Sequence, residues 1–290
     1  MNKIGHLCRA IRQDPDQTQR QLAKRLGVSL GKCHSLVHQA AADGYIEEKD
    51  ATFVLTDRGA QYLEQFRVEN AIILAANIDI RFVPFTHEMP KSLMEIEGER
   101  IIERQIRQLH ARGITDITVV VGYLAEKFEY LTDKFGVKLV FNPEYTTKNN
   151  VASLFLTRHL LGNTYLLTAD HWIWENIFQT YEPAPWFCCH WHEGTVGTWT
   201  CQTNGRGRIL SIKRGGRDKL VMRGPVCFTK AFAQKLVPLI EQEYQDGLES
   251  ERWETVLQGQ FDEMPIYAHV RHPDMVQHFN TLEELRDFDL

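Results

Sequence analysis

The sequence predicts an α/β chain in two parts: a small helical part containing a β-hairpin, then a doubly wound, mostly parallel sheet. The chain has 290 residues, which exceeds the usual size of one domain. Helical periodicity dominates the residues before Phe66, whereas apolar strands alternate with amphipathic helices from Asn70 onward. We therefore expect two domains, residues 1–67 and residues 68–290.

The composition is that of an ordinary globular protein, with 43% hydrophobic and 24% charged residues. No apolar run approaches the ~18 residues of a membrane span, and the N-terminus lacks the apolar core of a signal peptide. We expect a cytoplasmic protein with no membrane partner. The net charge is -5, yet Met1 to His38 carries seven Lys/Arg and two Asp, so this end alone is suited to a polyanion.

The first part reads as three helices, a hairpin and a fourth helix. Residues 3–13 have apolar side chains at helical spacing, Thr18 can cap QRQLAKRLG, and Ser29 can cap a helix that runs to Asp43. After Gly44, YIEEKDATFVLT predicts two short strands, and AQYLEQF a last helix. This order, with its G-Y-I and L-T-x-x-G phrases, resembles the winged helix-turn-helix of bacterial regulators.

The resemblance implies that the third helix enters the DNA major groove. Its residues predicted to contact DNA are Lys32, His34, Ser35 and His38. So few cations give a monomer weak affinity, so we expect DNA binding by a homodimer. The alternative is an interaction or dimerisation module that does not bind DNA.

The second part alternates strands and helices, as in a sheet with helices on both faces. In order the segments are AIILAA, RIIERQIRQLHARG, ITDITVVVGY, AEKFEYLTDKFG, VKLVFNP, NVASLFLTRHLLG and TYLLTAD. In such sheets the ligand crevice lies at the carboxyl ends of the strands.

Ordered motifs from about Glu69 to the C-terminal TLEELRDFD carry a specific resemblance. The run AIILAA…R…P-x-T-x-x-x-PK-x-L…IIERQI…GI-x-DI-x-VV-x-GY, continued by FNPEYTTKNNVASLFL and LLTADHW, resembles the nucleotidyltransferases of sugar-nucleotide pyrophosphorylase type. Within these Rossmann-like proteins it is most similar to bacterial CTP:phosphocholine cytidylyltransferases. Some members of that group also carry an N-terminal helix-turn-helix.

The resemblance implies a role for each matching position. Catalysis would rest on Arg81 and Lys91, which neutralise phosphates, and on Asp170, which with Asn280 would hold Mg²⁺. The acceptor pocket for a choline-like group would use Trp172 and Trp253. The residues expected to bind the nucleotide, CTP, are Ala75, Ala76, Asn77, Asp79, Arg81, Lys91 and Tyr123.

Three departures from the family pattern involve four positions. Asn77 and Asp79 replace the two glycines that let the loop approach a triphosphate, and Asp79 adds a negative charge. Asn280 replaces the second metal carboxylate with an amide, a poorer Mg²⁺ ligand. His171 follows Asp170, where the family more often has Asn.

These departures leave three hypotheses. The first is a weakly active or inactive cytidylyltransferase relative (a pseudoenzyme) that binds a nucleotide or choline-like ligand and regulates through DNA. The second is an active cytidylyltransferase transferring CMP from CTP to phosphocholine or a similar phosphorylated small molecule, with Asp79 as a replacement metal ligand. The third is a scaffold that partners an active paralogue.

Overall fold

A computed structural model describes residues 2–49, 52–79, 82, 85–247, 252–279 and 281–288. The chain forms two compact units, Met1–Val68 with Tyr181–Ala184, and Glu69–Thr180 with Pro185–Leu290. In the part of the chain that is described, no helix combines the length and apolar character needed to cross a membrane.

The first unit has the predicted order of a winged helix-turn-helix. Thr18 and Gln21 form a reciprocal capping box at the start of the second helix, and Ser29 accepts the backbone N–H of Lys32 at the start of the third. Gly27 adopts the left-handed conformation that the tight turn between these helices requires (φ 61°). The elements are α1 (Lys3–Gln13), α2 (Gln19–Leu26), α3 (Leu30–Ala42), β1 (Ile46–Lys49), β2 (Thr52–Leu55) and α4 (Asp57–Glu64).

A short return segment completes this unit. Tyr181 packs into the core formed by the helices, where Leu7, Leu22 and Leu63 are fully buried. Arg9 pairs with the buried carboxylate of Glu182 at 2.6 Å, and also donates to the carbonyl oxygen of Tyr181. The return segment is therefore held by apolar packing and by a charge-assisted hydrogen bond.

The second unit is built on a seven-stranded, mostly parallel sheet, which confirms the predicted fold class. The strands of this sheet are β3 (Asn70–Ala75), β6 (Ile117–Val121), β7 (Lys138–Phe141), β8 (Thr164–Thr168), β10 (Trp186–Thr203), β11 (Ile209–Phe228) and β12 (Tyr267–Arg271). Their order in the sheet is β12-β10-β11-β8-β3-β6-β7, and β11 runs antiparallel to both of its neighbours, β10 and β8. Two small pairs accompany them, β4 (Glu95–Ile96) with β5 (Glu99–Arg100), and β9 (Trp172–Ile173) with β13 (Val276–Gln277).

The helices of this unit follow the predicted alternation. They are α5 (Ile101–His110), α6 (Tyr130–Phe135), α7 (Asn150–Leu156), α8 (Lys230–Gln245) and α9 (Leu282–Phe288). In α5, Ile102, Ile106 and Leu109 recur at helical spacing and are fully buried, which is why an amphipathic sequence forms a helix against the sheet here.

Two pairings position the functional residues. The parallel register of β3 and β8 sets Leu74 opposite Thr168, so the segments after these strands leave the same edge of the sheet. The antiparallel pair β9–β13 sets Trp172 opposite Gln277. As a result His278, the residue after β13, lies next to the segment that follows β8.

Candidate active site

A cavity of about 730 Å³ lies at the carboxyl ends of β3 and β8. This is where a doubly wound sheet places its ligand crevice. The predicted site residues that line it are Ala75, Asn77, Asp79, Lys91, Asp170 and Trp253. The structure therefore brings together the loop after β3, Lys91 and the acid after β8.

Lys91 is a buried cation in the lining of this cavity, which also includes Arg214, Arg223 and Arg252, and Lys91 is already paired. Its side chain is 3% exposed, and Nζ lies 3.3 Å from Oδ2 of Asp79 and 3.3 Å from Oδ2 of Asp170. Nζ also donates to the carbonyl oxygen of Phe279 at 2.5 Å and lies 4.7 Å from the ring centre of Phe82. We call Lys91, Asp79 and Asp170 the Lys91 triad.

Asp170 is ionised in this setting. Burial alone would raise the pKa of its carboxyl group. The contact with His278 and the nearby charge of Lys91 outweigh burial and hold the pKa of Asp170 well below its usual value. Burial also lowers the pKa of His171 to about 3, so this imidazole is neutral.

The described metal-ligand atoms near Asp170 do not suit Mg²⁺, the ion that the sequence resemblance implies. The cluster comprises one carboxylate, Asp170, and two imidazoles, His171 and His278. Mg²⁺ prefers an octahedral shell of oxygen atoms and is rarely bound by imidazole. Asn280, the predicted second ligand, lies outside the described residues, as does Arg81 of the phosphate loop.

Trp172, predicted to lie in an acceptor pocket, is absent from the described lining of the cavity. It is fully buried, packs against Phe82 and Ile101, and has the Arg104 guanidinium 4.4 Å from its ring centre. The pairing of β9 with β13 fixes this inward position. Tyr123 and Ala76 are likewise absent from the described cavity lining; they meet each other through a backbone hydrogen bond of 3.1 Å.

The cavity lining also includes aromatic rings and a buried acid. Trp199, Trp253 and Phe187 line it, and the Phe187 and Trp253 rings stack with centres 5.8 Å apart. Glu254 is 8% exposed, and its Oε2 has no hydrogen-bond partner among the described residues. Burial raises the pKa of Glu254, and the nearby charges of Arg252 and Arg214 offset this only in part, so a cation bound beside Glu254 would favour its ionised form.

Of these residues the sequence predicts Trp253 alone, and the structure adds Trp199, Phe187 and Glu254 to the cavity lining. Trp199 and Phe187 lie on the long strand β10, where alternation alone does not reveal which rings face a cavity. Glu254 directly follows Trp253, and this adjacency of a ring and an acid was the one available signal.

The predicted DNA-contacting residues all lie exposed on α3. They are Lys32, His34, Ser35 and His38. The rings of His34 and His38, one helical turn apart, are 4.3 Å apart. This face of α3 is therefore free of packing against the core of its unit, as a recognition helix requires.

Two known families match this chain. Residues 8–47 match the family described as "Winged helix-turn-helix DNA-binding", and residues 70–184 match the family described as "Nucleotidyl transferase". Among solved structures, the CTP:phosphocholine cytidylyltransferase from Streptococcus pneumoniae is similar with a TM-score of 0.74 and 29% identity, over 77% of this chain and 98% of that chain. The inositol-1-phosphate CTP transferase from T. maritima shares the fold, with a TM-score of 0.60, 18% identity, and coverage of 77% of this chain and 96% of that chain.

Similar proteins of known activity indicate which members of the nucleotidyltransferase family this chain resembles. The choline-phosphate cytidylyltransferase of Streptococcus pneumoniae is 31% identical over 222 residues, which cover 74% of this chain and 97% of the relative. The 2-aminoethylphosphonate cytidylyltransferase of Lancefieldella rimae is 34% identical over 228 residues, covering 76% of this chain and 92% of the relative. The chain therefore belongs to the nucleotidyltransferase family, among the proteins similar to choline-phosphate cytidylyltransferase, and carries a winged helix-turn-helix DNA-binding domain at its N-terminal end.

Proposed function

We propose that this protein is a ligand-binding, DNA-binding regulator built on a cytidylyltransferase domain that transfers nucleotidyl groups weakly or not at all. The observation that carries this proposal is the Lys91 triad. The cation expected to neutralise a triphosphate is already neutralised by two carboxylates, each 3.3 Å from Nζ. One of those carboxylates, Asp79, stands where the family has a glycine.

The charge balance disfavours a triphosphate in the loop after β3. A nucleotide that approaches Lys91 must either displace Asp79 or lie beside it. At 3.3 Å and an effective dielectric constant of 20, the Asp79–Lys91 attraction alone is about 5 kcal/mol before solvent screening. A phosphate that displaces Asp79 forfeits part of this attraction, and one that does not is repelled. Weak CTP binding follows from either arrangement.

The metal-ligand set supports weak transfer as well. In-line attack on an α-phosphorus needs charge stabilisation that this family obtains from a divalent ion and cations together. Only Asp170 offers a carboxylate in the described cluster, and its Oδ2 is shared by Lys91 and His278. We therefore assign no catalytic step to Mg²⁺ in this chain.

The aromatic rings and the buried acid of the cavity lining suit a small ligand with an ammonium group. Aromatic faces attract cations, and a buried carboxylate gains a partner when an ammonium binds. Trp199, Trp253, Phe187 and Glu254 supply these features. The two curated relatives above are named for choline phosphate and 2-aminoethylphosphonate, both of which carry an ammonium group. We infer that this chain binds the same class of ligand.

DNA binding would occur through α3 and in a homodimer. The match to a DNA-binding family and the exposure of Lys32, His34, Ser35 and His38 support this role. Specific operators are usually read by two recognition helices related by a two-fold axis, which also compensates for the few cations per chain.

The alternative function is an active cytidylyltransferase that transfers CMP from CTP to phosphocholine or a related acceptor. The specific observation in its favour is that Lys91 and Asp170 both line the cavity, in a chain that spans 97% of the length of a choline-phosphate cytidylyltransferase. In that case Asp79 would serve as a metal ligand rather than as a repulsive group.

Two assays on the full chain test the proposal. Retention of genomic DNA fragments in a gel should occur at low salt, and phosphocholine or 2-aminoethylphosphonate should raise the melting temperature. Pyrophosphate release from CTP with either acceptor should be no faster than for Asp170→Ala. DNA retention without ligand binding would reject the sensing role, and absence of DNA retention would reject the regulator.

A further inference from the structure

The candidate metal cluster is assembled from two distant parts of the chain. Asp170 and His171 follow β8, and His278 follows β13. One ligand atom from each of the three residues lies within 4.8 Å of the others, and His278 Nδ1 lies 3.2 Å from Asp170 Oδ2. The β9–β13 pairing is what holds these side chains together.

The spacing fits neighbouring positions around one metal ion. Nitrogen and oxygen ligands lie about 2.0–2.2 Å from Zn²⁺, so two ligands at tetrahedral or octahedral angles are separated by roughly 3.0–3.5 Å. The contact of 3.2 Å between His278 and Asp170 lies within this range. A ring nitrogen of His171 lies within 4.8 Å of the ligand atoms of both Asp170 and His278.

Three atoms in the cluster are buried and have no hydrogen-bond partner among the described residues. They are Oδ1 of Asp170, Nδ1 of His171 and Nδ1 of His278, the last of which lies 3.2 Å from Oδ2 of Asp170. Buried polar atoms are nearly always paired, because leaving one unpaired is costly. A metal ion bound by these atoms would remove this cost, whereas Lys91 contacts only Oδ2 of Asp170.

We propose that Asp170, His171 and His278 bind one divalent transition metal ion, of the class of Zn²⁺ and Co²⁺, in preference to Mg²⁺. The reason is ligand chemistry, because imidazole nitrogen binds Zn²⁺ and related transition metal ions well, whereas Mg²⁺ prefers oxygen ligands.

The test is isothermal titration of the metal-free full chain with ZnCl₂, CoCl₂ and MgCl₂ in the absence of nucleotide. We expect one Zn²⁺ or Co²⁺ per chain, with Mg²⁺ bound at least about 100-fold more weakly. His278→Ala should weaken Zn²⁺ binding at least about tenfold. The matched control is His272→Ala: His272 Nδ1 also lies 3.2 Å from a carboxylate, that of Asp274, but this exposed pair belongs to no three-residue cluster among the described residues.

The visible spectrum of the Co²⁺ form identifies the ligands. Imidazole and carboxylate ligation gives d–d bands without the thiolate charge-transfer band that ligation by a cysteine, all six of which are buried, would produce. The proposal is overturned if Zn²⁺ does not bind, if Mg²⁺ binds equally well, or if His278→Ala with a native circular dichroism spectrum binds Zn²⁺ as wild type does. A thiolate band would overturn it too. None of these outcomes depends on DNA binding or nucleotidyl transfer.

Discussion

Replacing Asp79 with Asn should strengthen CTP binding about tenfold. The substitution removes a negative charge 3.3 Å from Lys91 Nζ and keeps the side-chain volume. A phosphate bound to Lys91 would lie about 5 Å from Asp79, where each unit of charge is repelled by about 3 kcal/mol at an effective dielectric constant of 20. Asp79 is 16% exposed, so we take solvent screening to halve this value, to about 1.5 kcal/mol. A tenfold change in affinity corresponds to about 1.4 kcal/mol.

Isothermal titration with CTP, at constant ionic strength and without added metal, measures this change directly. Asp116→Asn is the matched control, because Asp116 also pairs with a lysine, Lys138 at 2.8 Å, but on an exposed surface outside the described cavity lining. The control should leave CTP affinity unchanged. The gain for Asp79→Asn should shrink with added salt, since screening weakens the repulsion that the substitution removes.

Two results would refute this reasoning. Unchanged affinity in Asp79→Asn would mean that a bound triphosphate does not lie near Asp79. Weaker binding, seen only when a divalent metal is present, would mean that Asp79 is a metal ligand, and would favour the active enzyme over the regulator.

Three further predictions concern other parts of the chain. Burial raises the pKa of Glu254 above 4.5, so ionisation of this carboxyl group lowers the stability of the folded chain as the pH rises. Glu254→Gln should therefore raise the melting temperature by about 2 °C at pH 7 and have no effect below pH 4.5. Lys32→Ala should weaken DNA retention and lower the salt slope by about one. Gly59→Ala should destabilise the first unit by about 3 kcal/mol in denaturant unfolding, since a Cβ atom there would lie 1.8 Å from the Tyr45 carbonyl oxygen. Gly31→Ala should stabilise the same unit slightly, because a Cβ atom at Gly31 has no atom within 4 Å.

Each of these predictions has a contradicting outcome. A melting-temperature difference for Glu254→Gln that does not vary with pH would show that ionisation is not its cause. Unaltered DNA retention by Lys32→Ala would exclude α3 from the phosphate contacts. Equal unfolding free energies for Gly59→Ala and wild type would show that the backbone moves aside without cost.

Local chemistry made most of the fold predictable. The side chains of Thr18 and Ser29 accept hydrogen bonds from backbone N–H groups in the first turn of their helices. The two partners of each bond lie within four residues, so the sequence alone predicts these helix starts. The run at β3 is apolar throughout because both faces of a central parallel strand are covered. Such signals predicted the order of helices and strands in both units.

Contacts between distant segments were not predictable in the same way. Trp172 was expected in a pocket because it follows a strand end, but the pairing of β9 with β13 buries it against Phe82. The same pairing carries His278 to Asp170. No local sequence pattern at Asp170 or at His278 predicts that the two side chains are in contact, so the Asp170–His171–His278 cluster could be recognised only in the structure.

The central claim is that the pairing of Lys91 within its triad leaves this chain a poor nucleotidyltransferase. The most direct measurement is the rate of pyrophosphate release from CTP with phosphocholine or 2-aminoethylphosphonate, in wild type and in Asp170→Ala. We predict equally slow release in both proteins, far below the ~1–1000 s⁻¹ typical of enzymes. Turnover within that range by wild type, abolished in Asp170→Ala, would contradict the claim and identify an active cytidylyltransferase.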